Sequence, residues 1–213
     1  MALSFATAQL LSKAIPMVAG VPLSIAAWVN ASSFAAFPAI ATIGNASGSD
    51  YFSAQISNTG RGVTERSAGN SVDDVTNSIA GAMALSTWFH YVLICYDATN
   101  RGNWVNGVQQ VTGSLKNVGT LTLSQIAGVL SGGTQFYGTG LTLAQVAIWK
   151  SVVADIEIPQ LYVGVSPKKI QPSNLVSYNM LIGASSEPDY CSSTPWTVTG
   201  SPVFSPNPRL YFP

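Results

Sequence analysis

Short stretches in which apolar and polar residues alternate, broken by clusters of Gly, Asn, Ser and Pro, run through most of this chain. A two-residue period sends successive side chains to opposite faces of a strand. Ser24–Val29 sets Ile25, Ala27 and Val29 against Ser24, Ala26 and Trp28, all but Ser24 apolar, which predicts a strand covered on both faces. Ala39–Ile43 and Tyr51–Ile56, joined through the turn cluster Gly44–Gly48, predict a hairpin. Trp88–Val108 carries the clearest signal: a buried strand, a polar turn, a short second strand and the pair Asn106-Gly107. Asn-Gly tolerates positive φ at both central positions of a type I′ turn, so this pair marks an antiparallel hairpin.

Further along, Leu121–Val129 and Gln135–Tyr137 flank a turn at 130–134, and Leu141–Trp149 alternates again. Residues 151–162 suit a helical turn that Pro159 keeps short. Asn174–Met180 and Trp196–Val198 read as late strands, whereas 57–87 carries only weak strand signals at Gly62–Glu65 and Asn77–Ala82. Many short strands with almost no helix-period segment predict an all-β sandwich, and 213 residues suit one such domain over 1–200. Residues 201–213 hold four prolines and are expected to run extended over a surface rather than join a ladder.

The order Trp88, His90, Tyr96-Asp97 and Trp104-Val-Asn-Gly107 resembles the "W-H-H-V-A-x-x-Y-D-G … L-Y-V-N-G" hairpin of laminin-G-like, concanavalin A-like jelly-roll domains. Pro22–Val29 is similar to that family's early "F-T-I-S-A-W-V" strand, and Phe136–Trp149 followed by Val153–Tyr162 to its "F-x-G-x-I-D-E-V-R-I-Y" strand and "L-S-x-x-E-I-x-x-L-Y" turn. Gly164–Leu181 resembles the closing "L-V-A-Y-W-P-L" strand of phage and bacterial members. The resemblance implies a two-sheet antiparallel jelly roll with Trp28, Trp88, Tyr96, Asn106, Gly107 and Trp149 as structural anchors. Trp88–Asp97 is about one residue longer than the pattern, which predicts a bulge there. Ala144-Gln145 stands where the family has an acidic pair, which removes one metal-binding carboxylate.

Composition narrows the function classes. Apolar residues make up 47% and charged residues only 8%, against roughly 25% charged in an average protein, so the solvated surface is polar but uncharged. Nine basic and nine acidic residues give zero net charge with no basic stripe, which argues against nucleic acid as a partner. No run reaches the roughly 18 apolar residues of a membrane span, and the first residues do not read as a secretory signal. Cys95 and Cys191 do not form a disulfide framework.

Candidate chemistry is sparse. A glycosidase needs two carboxylates about 5 to 9 Å apart, but Glu65, Glu157 and Glu187 fall in no such pattern, and Asp155/Glu157 lies in a connecting turn. His90 is the single histidine, and no Gly-x-Ser-x-Gly elbow accompanies it, so catalysis is not expected. The resemblance also raises calcium, which takes about six to eight oxygens; the densest acid-amide cluster is Asp73-Asp74 with Asn70 and Asn77, with Asp50 in another loop, and a structural loop is the expected role. Glycan binding would use exposed aromatics, for which Tyr51 and Trp104, near predicted turns, are the candidates, with Trp28, Trp88 and Trp149 in the core. The expected function is that of a phage or virus-particle structural protein, a capsid decoration or fibre module contacting other virion proteins and its own copies as a homo-oligomer. The alternative is a carbohydrate-binding adhesion module.

Overall fold

Ser24–Val29, Ala39–Ile43, Tyr51–Ile56 and Leu141–Trp149 each fall within a strand, and these strands pair antiparallel. The computed structural model describes residues 1–35, 37–60, 62–68, 71–77, 82–114 and 118–208, without the side chains of 62–68, 71–77, 111 and 114. The strands are β1 (Ala2–Ser4), β2 (Leu10–Lys13), β3 (Leu23–Ala31), β4 (Ala39–Gly44), β5 (Tyr51–Ile56), β6 (Gly62–Ala68), β7 (Ser71–Asn77), β8 (Phe89–Cys95) and β9 (Asn100–Val105). There follow β10 (Val108–Ser114), β11 (Leu123–Ile126), β12 (Gly128–Ser131), β13 (Thr134–Tyr137) and β14 (Leu141–Trp149), then helix α1 (Ile158–Tyr162), a 3-10 turn at Pro167–Lys169, and β15 (Leu175–Asn179), β16 (Ser186–Glu187), β17 (Trp196–Thr199) and β18 (Val203–Ser205).

Two eight-stranded sheets stack as a sandwich. Sheet A runs β10-β9-β8-β3-β14-β1-β18, with β15 also paired to β14; sheet B runs β16-β17-β2-β11-β4-β5-β6-β7. Their facing sides supply one continuous core, including Ile25, Val29, Tyr91, Leu93, Leu143 and Ile148 from sheet A and Leu11, Ile43, Phe52, Ile126 and Trp196 from sheet B. Fully burying one such aliphatic or aromatic side chain contributes about 1.5–3 kcal/mol.

The other face of sheet A is apolar too, so it needs its own cover. Residues 150–175 supply it: Val153, Ile158, Leu161, Ile170 and Leu175 pack on Ala26, Val92, Ile94, Trp104, Ala147 and Trp149. Trp149 is fully buried, and its Nε1 donates to the Ile170 carbonyl (2.8 Å), which ties the cover to the end of β14. His90 lies on this same outer face, 3% exposed, and burial depresses its pKa from 6.5 to about 3.

Several sequence expectations need correction. No bulge interrupts Phe89–Cys95, because the β3–β8 register runs unbroken from Leu23↔Cys95 to Val29↔Phe89. The irregularity falls in β14 between Ala144 and Ala147, where Gln145 takes φ 52°. Leu121–Val129 is not one strand: Ala127 (φ 58°) breaks it, and the chain leaves sheet B to form the separate hairpin β12–β13. Gly138 lets that hairpin return, since a Cβ there would sit 2.8 Å from the Ala39 carbonyl. The weak signal at 57–87 resolves into β6 and β7; the predicted strand at 77–82 lies largely outside the described residues. The Pro-rich tail does join a ladder, as β18 pairs β1 with Ala2↔Ser205, and Pro202 and Pro206 stand just outside it. The predicted Asn106-Gly107 turn forms, with φ 52° and 77°. Both cysteines are free, Cys95 buried and Cys191 exposed, and burial pushes the Cys95 thiol up to about 12.

A buried ion pair joins the two ends of the chain. Lys13 Nζ donates to Asp189 Oδ2 (2.7 Å) with both side chains almost wholly enclosed, and stands 5.2 Å from the Trp196 ring centre. Asp189 also accepts from Ser177 Oγ (2.7 Å) and from the backbone N–H groups of Tyr178 and Cys191. Trp196 Nε1 donates to the Asn179 side-chain oxygen (2.7 Å). Glu187, equally buried, accepts from the N–H groups of Ile182, Gly183 and Ala184. The charges are therefore paired or saturated with donors, as burial requires.

Removing one partner leaves the other buried and unpaired. Lys13→Ala is expected to cost about 3–5 kcal/mol in urea unfolding, and Lys13→Met with Asp189→Leu to restore most of the loss. His90 gives a pH signature of known sign. Its folded pKa lies below its unfolded value, so only the unfolded chain takes up the proton between pH 6.5 and about 3, and stability falls as pH falls through that window. The slope from this one group is about 1.4 kcal/mol per pH unit, and His90→Phe should remove it from the pH dependence of the unfolding free energy.

Candidate functional site

The sandwich offers two outer faces. On sheet B the positions between core residues carry hydroxyls and amides in register: Thr197↔Ser12, Ser12↔Gln125, Gln125↔Thr42 and Thr42↔Ser53. Adjacent strands lie about 4.8 Å apart, so five neutral donor-acceptor side chains form one line across the sheet. Thr197 is exposed and Ser12 half-buried, while Gln125, Thr42 and Ser53 are buried. Thr42 Oγ1 and Ser53 Oγ bond at 2.6 Å, and Gln125 Nε2 donates to Gln135 Oε1 (2.7 Å) on β13.

The hairpin β12–β13 encloses the buried end of that line. It pairs only with itself and is held by Gly132 N–H to the Gly48 carbonyl (2.9 Å) and by the contact of Val129 with Ala39 and Tyr51. Beneath it Thr42, Gly44, Asn45, Leu123, Gln125 and Leu130 line a crevice too narrow to admit a water molecule. Gln125 Oε1 is buried without a partner among the described residues.

Sheet A's outer face carries aromatics instead. Trp28 pairs in register with His90 and Ala144, and clusters with Ala2, Ala144 and Trp88. Its ring lies 5.2 Å from His90 and stacks on Tyr162 at 5.8 Å and 27°. Tyr162, the last residue of α1, is 36% exposed and Trp88 is half-buried.

Tyr51 and Trp104, expected as exposed glycan platforms, are buried at 1% and 3% exposure. Tyr51 points outward from β5 but lies under the hairpin, its hydroxyl 3.2 Å from Ser131 Oγ. Trp104 is covered by residues 150–175 and meets Tyr96 edge-on at 6.3 Å. Proximity to a turn misled in both cases because a distant segment folds over each ring. Trp149 is fully buried but, like Trp28, lies on the outer face of sheet A rather than between the sheets, and Trp88 is only half-buried. Burial and the nearby Asp155 charge raise Tyr96 to about 12.

Asp50, Asp97 and Glu157 serve local structure. Asp50 accepts from Gly119 N–H (2.8 Å), Asn45 Nδ2 (3.0 Å) and Ser49 Oγ (2.8 Å), a ring of donors that does not fit a calcium ligand set. Asp97 closes its own turn on Asn100 and Thr99, and these hydrogen bonds lower its pKa to about 2. Glu157 accepts from Ala154 N–H (2.8 Å) and Gln171 Nε2 (2.6 Å), so the Asp155/Glu157 pair is part of a turn. Among the described residues no group of His, Cys, Asp and Glu converges to hold a metal ion. Asp73 and Asp74 stand on strand β7 rather than in a loop, and their side chains, with Asn70 and the Asn77 side chain, lie outside the described residues.

Sequence reasoning did not single out the sheet B line. Its signal was the polar member of each alternating pair in β4, β5 and β11, legible only once the register was known.

The family model of the concanavalin A-like lectin/glucanases superfamily matches residues 6–158. No curated protein matches the sequence significantly. Among solved structures, a candidate carbohydrate-binding protein of Bacteroides ovatus is similar at 16% identity with a TM-score of 0.68, over 93% of this chain and 58% of its own length. The CBM40 domain of the Ruminococcus gnavus IT-sialidase, bound to α2,3-sialyllactose, is similar at 17% identity with a TM-score of 0.58, over 68% of this chain and 84% of its own. The heptameric SAP-like pentraxin of Limulus polyphemus is similar at 11% identity with a TM-score of 0.59, over 76% and 81%. At these identities the likeness to each is one of fold. The family match spans most of the chain and agrees with the two-sheet sandwich, and the protein belongs to the concanavalin A-like lectin/glucanase superfamily.

Proposed function

We propose that this protein is a non-catalytic carbohydrate-binding module. The observation that carries this reading is the neutral line Thr197–Ser12–Gln125–Thr42–Ser53 on the outer face of sheet B. Hydroxyl and amide groups both donate and accept, as sugar hydroxyls do, and a neutral surface is cheaper to desolvate than a charged one. The line opens to solvent at Thr197 and Ser12, where a glycan first makes contact. The glycan-binding neighbours of the same fold support the ligand class, and the turn-bound Asp97 and Glu157 and the donor-saturated Glu187 support a non-catalytic role.

A second reading, as a structural module touching virion proteins or its own copies, rests on β18. Val203 and Phe204 are 64% and 58% exposed at the free edge of sheet A, an apolar patch suited to a sister subunit.

A glycan array followed by calorimetric titration tests the first reading. Specific hits are expected, with Ser12→Ala and Thr197→Ala each weakening binding roughly three- to tenfold at unchanged unfolding midpoint. An array without hits overturns it. Sedimentation tests the second reading: concentration-dependent self-association that Phe204→Ser abolishes is expected, and a monomer at all concentrations overturns the homo-oligomer.

A further inference from the structure

Residues 150–175 do not cover the whole outer face of sheet A. Their cover reaches Tyr162, whose ring stacks on Trp28, and beyond it the half-buried Trp88 borders the Trp28 cluster. Two side-chain nitrogens in this region, Trp28 Nε1 and His90 Nδ1, are buried without a hydrogen-bond partner among the described residues. Trp28 is 7% exposed and His90 3%, and their rings lie 5.2 Å apart. A buried polar group left unpaired is costly and rare, so two neighbouring ones mark a place where a partner is missing.

The chemistry of that partner follows from the two nitrogens. Indole N–H only donates and therefore needs an acceptor. A neutral imidazole nitrogen needs an acceptor or a donor according to tautomer, and a hydroxyl meets either requirement while a carboxylate or an ammonium group meets only one. Around these nitrogens stand aromatic faces, which favour the C–H faces of a ring. Asn30 and Thr142, paired in register two positions along the same face from Trp28, are half-buried polar groups at its margin.

We propose that this aromatic shelf, Trp28, Trp88 and Tyr162 around His90, is a second carbohydrate site that takes a neutral pyranose ring, with ligand hydroxyls meeting Trp28 Nε1 and His90 Nδ1. It shares the ligand class of the proposed function but stands on the opposite sheet from the Ser12–Thr197 line. Entry requires the Tyr162 ring to swing aside, a rotamer change open to a side chain that is already 36% exposed.

The indole N–H signals of ¹⁵N-labelled protein, titrated with methyl β-glucoside, methyl β-galactoside, N-acetylglucosamine and lactose, provide the test. The Trp28 signal is expected to shift saturably with at least one of them. Tyr162→Ala and Trp88→Ala, which alter partly exposed rings and leave the core intact, should each weaken that response roughly tenfold, while Ser12→Ala leaves it unchanged. Trp28→Phe assigns the signal; should it not fold, sequential assignment serves and the other two variants carry the test. No shift with any of the four sugars, or a shift undiminished in both variants, overturns the proposal and leaves water as the partner of the two nitrogens. Array binding lost in Ser12→Ala while the Trp28 shift persists concerns the sheet B line alone, so the two readings fail separately.

Discussion

Sheet A has two apolar faces and one sandwich partner, and much of the molecule answers that imbalance. Sheet B covers the side bearing Ile25, Tyr91 and Ile148, which leaves Ala26, Val92, Ile94, Trp104 and Trp149 in need of shelter. The chain provides it locally, by turning back after β14 through α1 and the 3-10 turn before returning as β15. Such a cover is short and irregular, and it stops at Tyr162. The aromatic shelf is thus the seam where an improvised roof ends, and Trp28 Nε1 and His90 Nδ1 find no hydrogen-bond partner there among the described residues.

Sheet B solves the opposite problem. Its outer face is polar where it meets solvent, so it needs no apolar roof, yet β12–β13 folds over part of it. The hairpin rests on Tyr51, Ala39 and a set of hydrogen bonds rather than on a broad core. The pairs Thr42–Ser53 and Gln125–Gln135 satisfy most of the polar groups beneath, which lowers the cost of their burial in a low-dielectric setting.

The parts legible in the sequence were those governed by neighbours along the chain. Alternation in Ser24–Val29 announced a strand with two covered faces and that in Leu141–Trp149 a strand, and Asn106-Gly107 announced its turn because only its own dihedrals matter. What escaped was decided by residues far away. β1 and β2 are too short to show a period, and β18 joins a sheet despite its flanking prolines because both stand just outside the ladder. Tyr51 and Trp104 lie close to turns, as exposed rings would, and are buried only because separate segments cross above them. The Lys13–Asp189 pair spans 176 positions and has no local signature at all. For the sites the same rule holds: residue types were visible, but their convergence depended on register.

The pairing of β18 with β1 sets Ala2 opposite Ser205, so the entrance of the first strand and the exit of the last sit side by side. A brief tether from Ser205 to Ala2 would join the two strands as a hairpin, and a permuted form could then be opened at an exposed tip such as Gly132-Gly133. The same adjacency lets the whole sandwich be spliced into a surface loop of an unrelated host, entering and leaving through one narrow doorway.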